Sequence, residues 1–169
     1  MKVRKASVAD ARGIAKVQID SWRTTYRNIV SDEYLNNMND DDREKRWQTI
    51  IPQENVYVVE NENGQIVGFS GGGIERTGNY PEYKGELYAI YLLESYQRKG
   101  LGRKLVEPVV EMLKEKGIYS MTVMVLADNP SRYFYEALGA KQIGIEKIEI
   151  GGENLLELVY GWEDIREII

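Results

Sequence analysis

Neither cysteine nor histidine occurs anywhere in the 169 residues of this chain. Those two absences remove disulfides, thiolate nucleophiles, zinc sites of the Cys/His type and every histidine-based triad. Acid–base chemistry is left to carboxylates, tyrosine, lysine, water or the substrate itself. A basic surplus is missing too: the formal net charge is −5, which argues against a nucleic-acid partner. No apolar run approaches membrane-spanning length, and the opening "MKVRKASVAD" has no continuous apolar stretch of the kind a secretory signal needs. A soluble cytoplasmic protein, with no membrane partner, is the expectation. The balance of 43% apolar to 29% charged residues is that of a globular protein, so residues 1–169 are read as one domain.

What is present is an alternation of strand and helix patterns. "KVRKA" reads as a short strand, and Ser7 with Asp10 forms a capping-box pair ahead of a helix. Ala11, Ile14, Val17 and Ser21, with Trp22 beside them, recur at helical spacing to about Tyr26. A second helical region runs from Ser31, with Asp40, Asp41 and Asp42 suited to a helix N-terminal turn, and stops before Pro52. "VYVVE", "NENG" and "QIVGFS" predict a β-hairpin. Glycines 71 to 73 read as a flexible turn, with a bulge or a close backbone approach as the alternative.

"GELYAIYLL" (85–93) and "YSMTVMVL" (119–126) are further strands, and "DNPSRYFYEALG" a short helix with Asn129 as cap, Pro130 in its first turn and Gly139 closing it. The chain ends as a hairpin turning near Gly151 and Gly152. The order β-α-α-β-β-β-α-β-α-β-β predicts a mixed α/β domain around one central sheet. The last strands offer an edge at which a homodimer could pair.

Between the strand at 85–93 and the next helix lies "SYQRKGLGRKLVEP", residues 95 to 108. Gly100 and Gly102 stand there among Arg98, Lys99, Arg103 and Lys104. A helix start presents unpartnered amides and the positive end of its dipole, and glycine lets the backbone approach an oxygen closely. The spacing matches neither the P-loop nor the dinucleotide fingerprint. Alone, such a loop is more often a basic surface turn. Pro108, beyond the first two turns of the helix, is expected to kink it.

"GELYAIYLLESYQRKGLGRKL" resembles the GNAT superfamily of acyl-CoA N-acyltransferases, whose signature is a strand ending in a [QR]-x-x-G-x-[GA] loop before a helix, here Gln97, Arg98, Lys99, Gly100, Leu101 and Gly102. "NPSRYFYEALGA" resembles a second segment of the same family. The resemblance implies a mixed, mostly antiparallel sheet flanked by helices. It also implies that acetyl-CoA is the acyl donor, with no metal, and that a primary amine of a small molecule or protein is the acceptor. The amides of Arg98 to Arg103 would bind the coenzyme A pyrophosphate, and the main chain of Ile90, Tyr91 and Leu92 would run beside the pantetheine arm. Asn129 would touch that arm as well as capping its helix.

By the same resemblance Tyr135, four residues before Gly139, is the expected acid that protonates the departing thiolate, while Tyr133 and Phe134 are read as packing. Glu86, eleven positions before Gln97, is the expected base, matching the histone acetyltransferase branch; the alternative is a solvent-facing glutamate on an alternating strand. The ribosomal-protein alanine acetyltransferase branch carries its glutamate on the next strand, at the position of Met124, which cannot act as a base. Trp22, Tyr26 and Tyr34 are candidates for the acceptor wall or for the core. With no cysteine to carry an acyl group, direct transfer in a ternary complex is expected. The competing reading is a non-catalytic sensor or scaffold that binds coenzyme A or acyl-CoA.

Overall fold

The computed structural model describes residues 1–168 and shows one seven-stranded sheet in the order β1-β2-β3-β4-β5-β7-β6. The strands are β1 (Lys2–Lys5), β2 (Asn55–Glu60), β3 (Ile66–Ile74), β4 (Gly85–Leu92), β5 (Met121–Leu126), β6 (Lys141–Ile150) and β7 (Glu153–Trp162). Every neighbouring pair is antiparallel except β4 and β5, which run parallel. The helices are α1 (Ala11–Thr25), α2 (Asp32–Asn36), α3 (Asp40–Ile50), α4 (Leu101–Glu115) and α5 (Ser131–Ala137). The expected mixed sheet and element order are therefore present, with one subdivision: the second helical region is split into α2 and α3. Ser31 caps α2 by accepting from the Tyr34 amide, and Asn39 caps α3 by accepting from the amides of Asp41 and Asp42.

Alternation along the strands sends side chains to two faces. On one face Ile14, Ala15 and Val17 of α1 and Trp47 of α3 bury against Val56, Val58 and Phe69. On the other, Val106, Val109, Val110 and Leu113 of α4 bury with Leu87, Val123, Leu158 and Tyr160. Each indole nitrogen in the chain finds an acceptor: Trp22 on the Tyr91 hydroxyl, Trp47 on Gln18, Trp162 on the Leu138 carbonyl. That removes the cost of burying a donor beside a large apolar ring.

Glycines 71 to 73 are not a turn. They lie inside β3, and the pairing of β3 with β4 shifts register there, because Gly71 opposes Ala89 while Gly72 opposes Leu87. Tyr88 is thus the extra residue of a β-bulge, which bends β4. The glycines also admit α4: a Cβ on Gly72 would lie 2.6 Å from Val109 and 2.8 Å from the Glu86 carbonyl. α4 runs from Leu101 to Glu115 with Pro108, the expected site of a kink, inside it. The buried Ser70 hydroxyl of β3 donates to the Leu105 carbonyl at 2.7 Å, giving that turn a partner from the sheet. The helix closes at Gly117 (φ 74°), with the Ile118 amide bonded to the Leu113 carbonyl.

The β6–β7 hairpin turns through Gly151 and Gly152, both with positive φ, and leaves β6 as a free edge of the sheet. Ile148, Ile150 and Leu155 of this hairpin pack with Trp22, Tyr34 and Leu35, so its tip rests on the α1–α2 region. Among the described residues no helix is long and apolar enough to cross a membrane.

Replacing Gly72 by valine forces side-chain atoms against the Val109 side chain of α4 and the β4 main chain and is expected to cost about 1–3 kcal/mol. The midpoint of urea unfolding should fall accordingly; an unchanged midpoint would contradict the close packing of α4 on β3.

Candidate active site

β4 and β5 pair only at Gly85–Met121, Glu86–Thr122 and Leu87–Val123. Beyond that point the bulged β4 stays with β3 and β5 stays with β7, so the two parallel strands diverge. The wedge between them is a cleft of about 620 Å³, bounded by Ile90 and Leu92 of β4, the loop after β4, the start of α5 and Thr24 and Thr25 of α1. A smaller cavity of about 70 Å³ continues it, sharing Ile90, Leu92, Asn129 and Tyr135 and adding Ser21, Tyr26 and Tyr91.

The loop closing the outer end of the cleft has an unusual backbone. Arg98 (φ 63°) and Gly100 (φ 79°) are both left-handed, separated by Lys99, and α4 starts at Leu101. None of the amides from Arg98 to Arg103 donates to another described residue, leaving six consecutive N–H groups free at a helix start. A run of amides in such a conformation is an anion-binding concavity, reinforced by the helix dipole. Gln97 fastens the loop by donating from Nε2 to the Leu92 carbonyl at 3.0 Å, and the Leu101 side chain anchors it in the core with Leu105. A Cβ on Gly102 would sit 3.1 Å from the Phe134 ring, so glycine there lets α5 approach α4.

The basic side chains contribute less than the amides. Arg103 turns its guanidinium to the Ile168 carbonyl, and Lys99 lies over the Tyr96 ring at 5.6 Å, outside the cleft lining. Arg98 and Arg103 both line the cleft.

At the inner end, Tyr135 is buried at 5% exposure and lines both cavities. Its hydroxyl has no hydrogen-bond partner among the described residues. Burial, with the nearby Tyr91, pushes its phenol well above the ordinary tyrosine range, so it is protonated at neutral pH. Asn129 is also buried: its Oδ1 accepts from the Ser131 amide at 2.9 Å and its Nδ2 donates to the Tyr26 hydroxyl at 3.1 Å. It therefore caps α5 and ties that helix to α1. α5 begins at Ser131, one residue later than the expected start at Pro130.

Of the acceptor-wall candidates, Tyr26 lines the smaller cavity, whereas Trp22 and Tyr34 line neither. Trp22 meets Tyr26 edge-on at 4.6 Å and Tyr34 lies 6.1 Å further along the same cluster. Glu86 is buried at 1% exposure with both oxygens held by Arg76, whose guanidinium also stacks on Tyr88 at 4.0 Å. It is neither the solvent-facing glutamate of the alternative reading nor a cleft residue.

Phe134, read as packing, lines the larger cavity, and Ser21, Thr24 and Thr25 line the cavities without having been expected there. Ser21 left a trace in the sequence, as the one polar residue in the apolar stripe of α1. The others carry no local signal. Among the described residues no group of three His, Cys, Asp or Glu is placed to hold a metal.

Known proteins share this fold. The model of the acetyltransferase (GNAT) family matches residues 19–140. An uncharacterized N-acetyltransferase of Bacillus subtilis, YuaI, is 42% identical over 163 residues, covering 96% of this chain and 93% of its own. The spermidine N(1)-acetyltransferase of Thermoplasma acidophilum is 26% identical, covering 83% and 88%. Among solved structures, the PaiA N-acetyltransferase of Thermoplasma acidophilum in complex with coenzyme A superposes with a TM-score of 0.70 at 20% identity, covering 93% of this chain and 96% of that one. The ribosomal-protein-alanine N-acetyltransferase of Brucella melitensis gives 0.73 at 21%, covering 96% and 99%.

Gly100→Val adds a β-branched side chain to a left-handed position beside the free amides. Calorimetry should show affinity for coenzyme A reduced about tenfold or more, corresponding to at least about 1.4 kcal/mol. Unchanged affinity would refute the loop as the pyrophosphate site.

Proposed function

Because this chain belongs to the GNAT acetyltransferase family, we propose that it transfers an acetyl group from acetyl-CoA directly to a primary amine, on a small molecule or a protein, within a ternary complex. The observation that carries this reading is the pairing of six free amides at one end of the cleft with the Tyr135 hydroxyl at the other. The amides of Arg98 to Arg103 would hold the pyrophosphate, and the main chain of Ile90 to Leu92, lacking a β5 partner, would receive the amides of the pantetheine arm. Asn129 spends one of its two Nδ2 protons on Tyr26 and has the other for that arm. The donor supplies an acetyl group already activated as a thioester.

The residues of the chain then have three tasks: removing a proton from the amine, stabilising the oxyanion, and protonating the thiolate. Tyr135 suits the last, since burial holds it in its protonated form beside the point where the strands part. A main-chain amide of β4, at Leu92, is our candidate for the oxyanion. Two carboxylates compete for the base, Glu86 and, on a strand the motif does not include, Glu157.

Wild-type protein incubated with acetyl-CoA and a panel of primary amines should release coenzyme A. Tyr135→Phe should lower kcat by about 10²–10⁴-fold with affinity for coenzyme A retained. Undiminished turnover in that variant would remove Tyr135 from the acid role. Tight binding without turnover on any amine would instead favour the sensor or scaffold reading.

A further inference from the structure

Glu86 is already engaged. Its Oε2 accepts from Arg76 Nη2 at 2.8 Å, and its Oε1 accepts from the Arg76 amide and Nε at 3.1 and 3.2 Å. With both oxygens committed to Arg76, Glu86 has neither of them turned to an incoming amine.

A second carboxylate lies on the same face without such a partner. Glu157 of β7 is paired across the sheet with Leu126 of β5, and Val159 with Met124. Leu155, Glu157 and Val159 share one face of β7 by alternation. Leu155 packs with Ile19, Tyr26 and Leu126, which identifies that face as the one α1 covers. Glu157 therefore stands one strand beyond Met124, which lines the smaller cavity with Ser21 and Tyr26; Glu157 lies behind that lining, on the same side of the sheet.

Two features mark this side as built for a polar guest. Glu146 of β6 is the direct cross-strand partner of Glu157, an arrangement of like charges that costs stability in a sheet. Ser21 Oγ is buried in the smaller cavity with no hydrogen-bond partner among the described residues, a demand that an incoming nitrogen or a preceding water would meet.

We propose that Glu157, not Glu86, accepts the proton of the acceptor's ammonium group, and that Glu86 serves to position Arg76. The assignment rests on the acetyl-transfer reading above. Among the described residues Glu157 has no ion-pair partner. Burial, then Glu146 and Glu86, hold its carboxyl above the ordinary range, with Arg76 opposing them; Tyr80 and Tyr91 are the other titratable groups that feel its charge. A carboxylate poised higher is a better base near neutral pH.

The step balances. An N–H bond of the ammonium breaks and an O–H bond forms on Glu157. The neutral nitrogen attacks the thioester carbon, the C–S bond breaks, and the thiolate takes the Tyr135 proton. The second nitrogen proton restores the phenol, and the proton on Glu157 leaves to water.

The test pairs the pH profile of kcat with a ¹³C NMR titration of glutamate carboxyls, in wild type, Glu157→Gln, Glu146→Gln and Glu86→Gln. Wild type should show an ascending limb, and one carboxyl transition, above the usual glutamate value of about 4.3. In Glu157→Gln the transition should vanish, kcat should fall about 100-fold or more, and the limb should move up towards the ionisation of the amine itself. Glu146→Gln should shift limb and transition to lower pH. Wild-type rate and limb in Glu157→Gln, or the loss of the limb in Glu86→Gln instead, would overturn the assignment alone. Failure of wild type to release coenzyme A with any amine would overturn the transfer reading and the base role with it.

Discussion

β4 keeps its hydrogen bonds to β3 along its whole length but shares only three register positions with β5, and the cleft exists because of that mismatch. A parallel pair normally continues until one strand ends. Here the extra residue Tyr88 bends β4, while β5 remains committed to β7 through six paired positions. The sheet therefore opens at its centre rather than at an edge, exposing main-chain groups inside the molecule where a ligand can use them in place of a strand.

The surroundings of the wedge follow from this opening. Strands that part leave room at their C-terminal ends for the β4–α4 loop, whose left-handed residues and helix start gather six free amides. The same opening lets α5 and α1 meet across it through Asn129 and Tyr26, and it strands the Tyr135 hydroxyl between two cavities. Tyr26, Tyr91 and Tyr135 are all pushed up by burial, so this region holds three neutral phenols and no charge of its own. On the α1 side of the sheet Arg76 is held by Glu86, while Glu157 stands opposite Glu146.

Much of this was legible because it is local. The Gln97–Gly102 loop, the capping Asn129, the closing Gly139 and the final Gly151–Gly152 turn are each set by backbone conformation within a few residues, and each stands where the sequence puts it. The misread elements are those decided by distant partners. Glycines 71 to 73 resemble a turn until α4 and Tyr88 are seen to need the space a side chain would fill.

The sequence by itself determined the order of elements and the glycine-containing loop before α4, since these depend on short-range spacing, and a family resemblance singled out Tyr135. It also excluded thiol and imidazole chemistry outright. Only the tertiary structure decided which carboxylates are free. Glu86 carries the expected spacing but meets Arg76, ten residues earlier, across a strand turn. Glu157 carries no motif at all, and is brought to the α1 side of the sheet by the register of β7 on β5, thirty-one positions from its partner Leu126. Proton chemistry depends on the field at a side chain, and that field is assembled from residues the chain order keeps far apart.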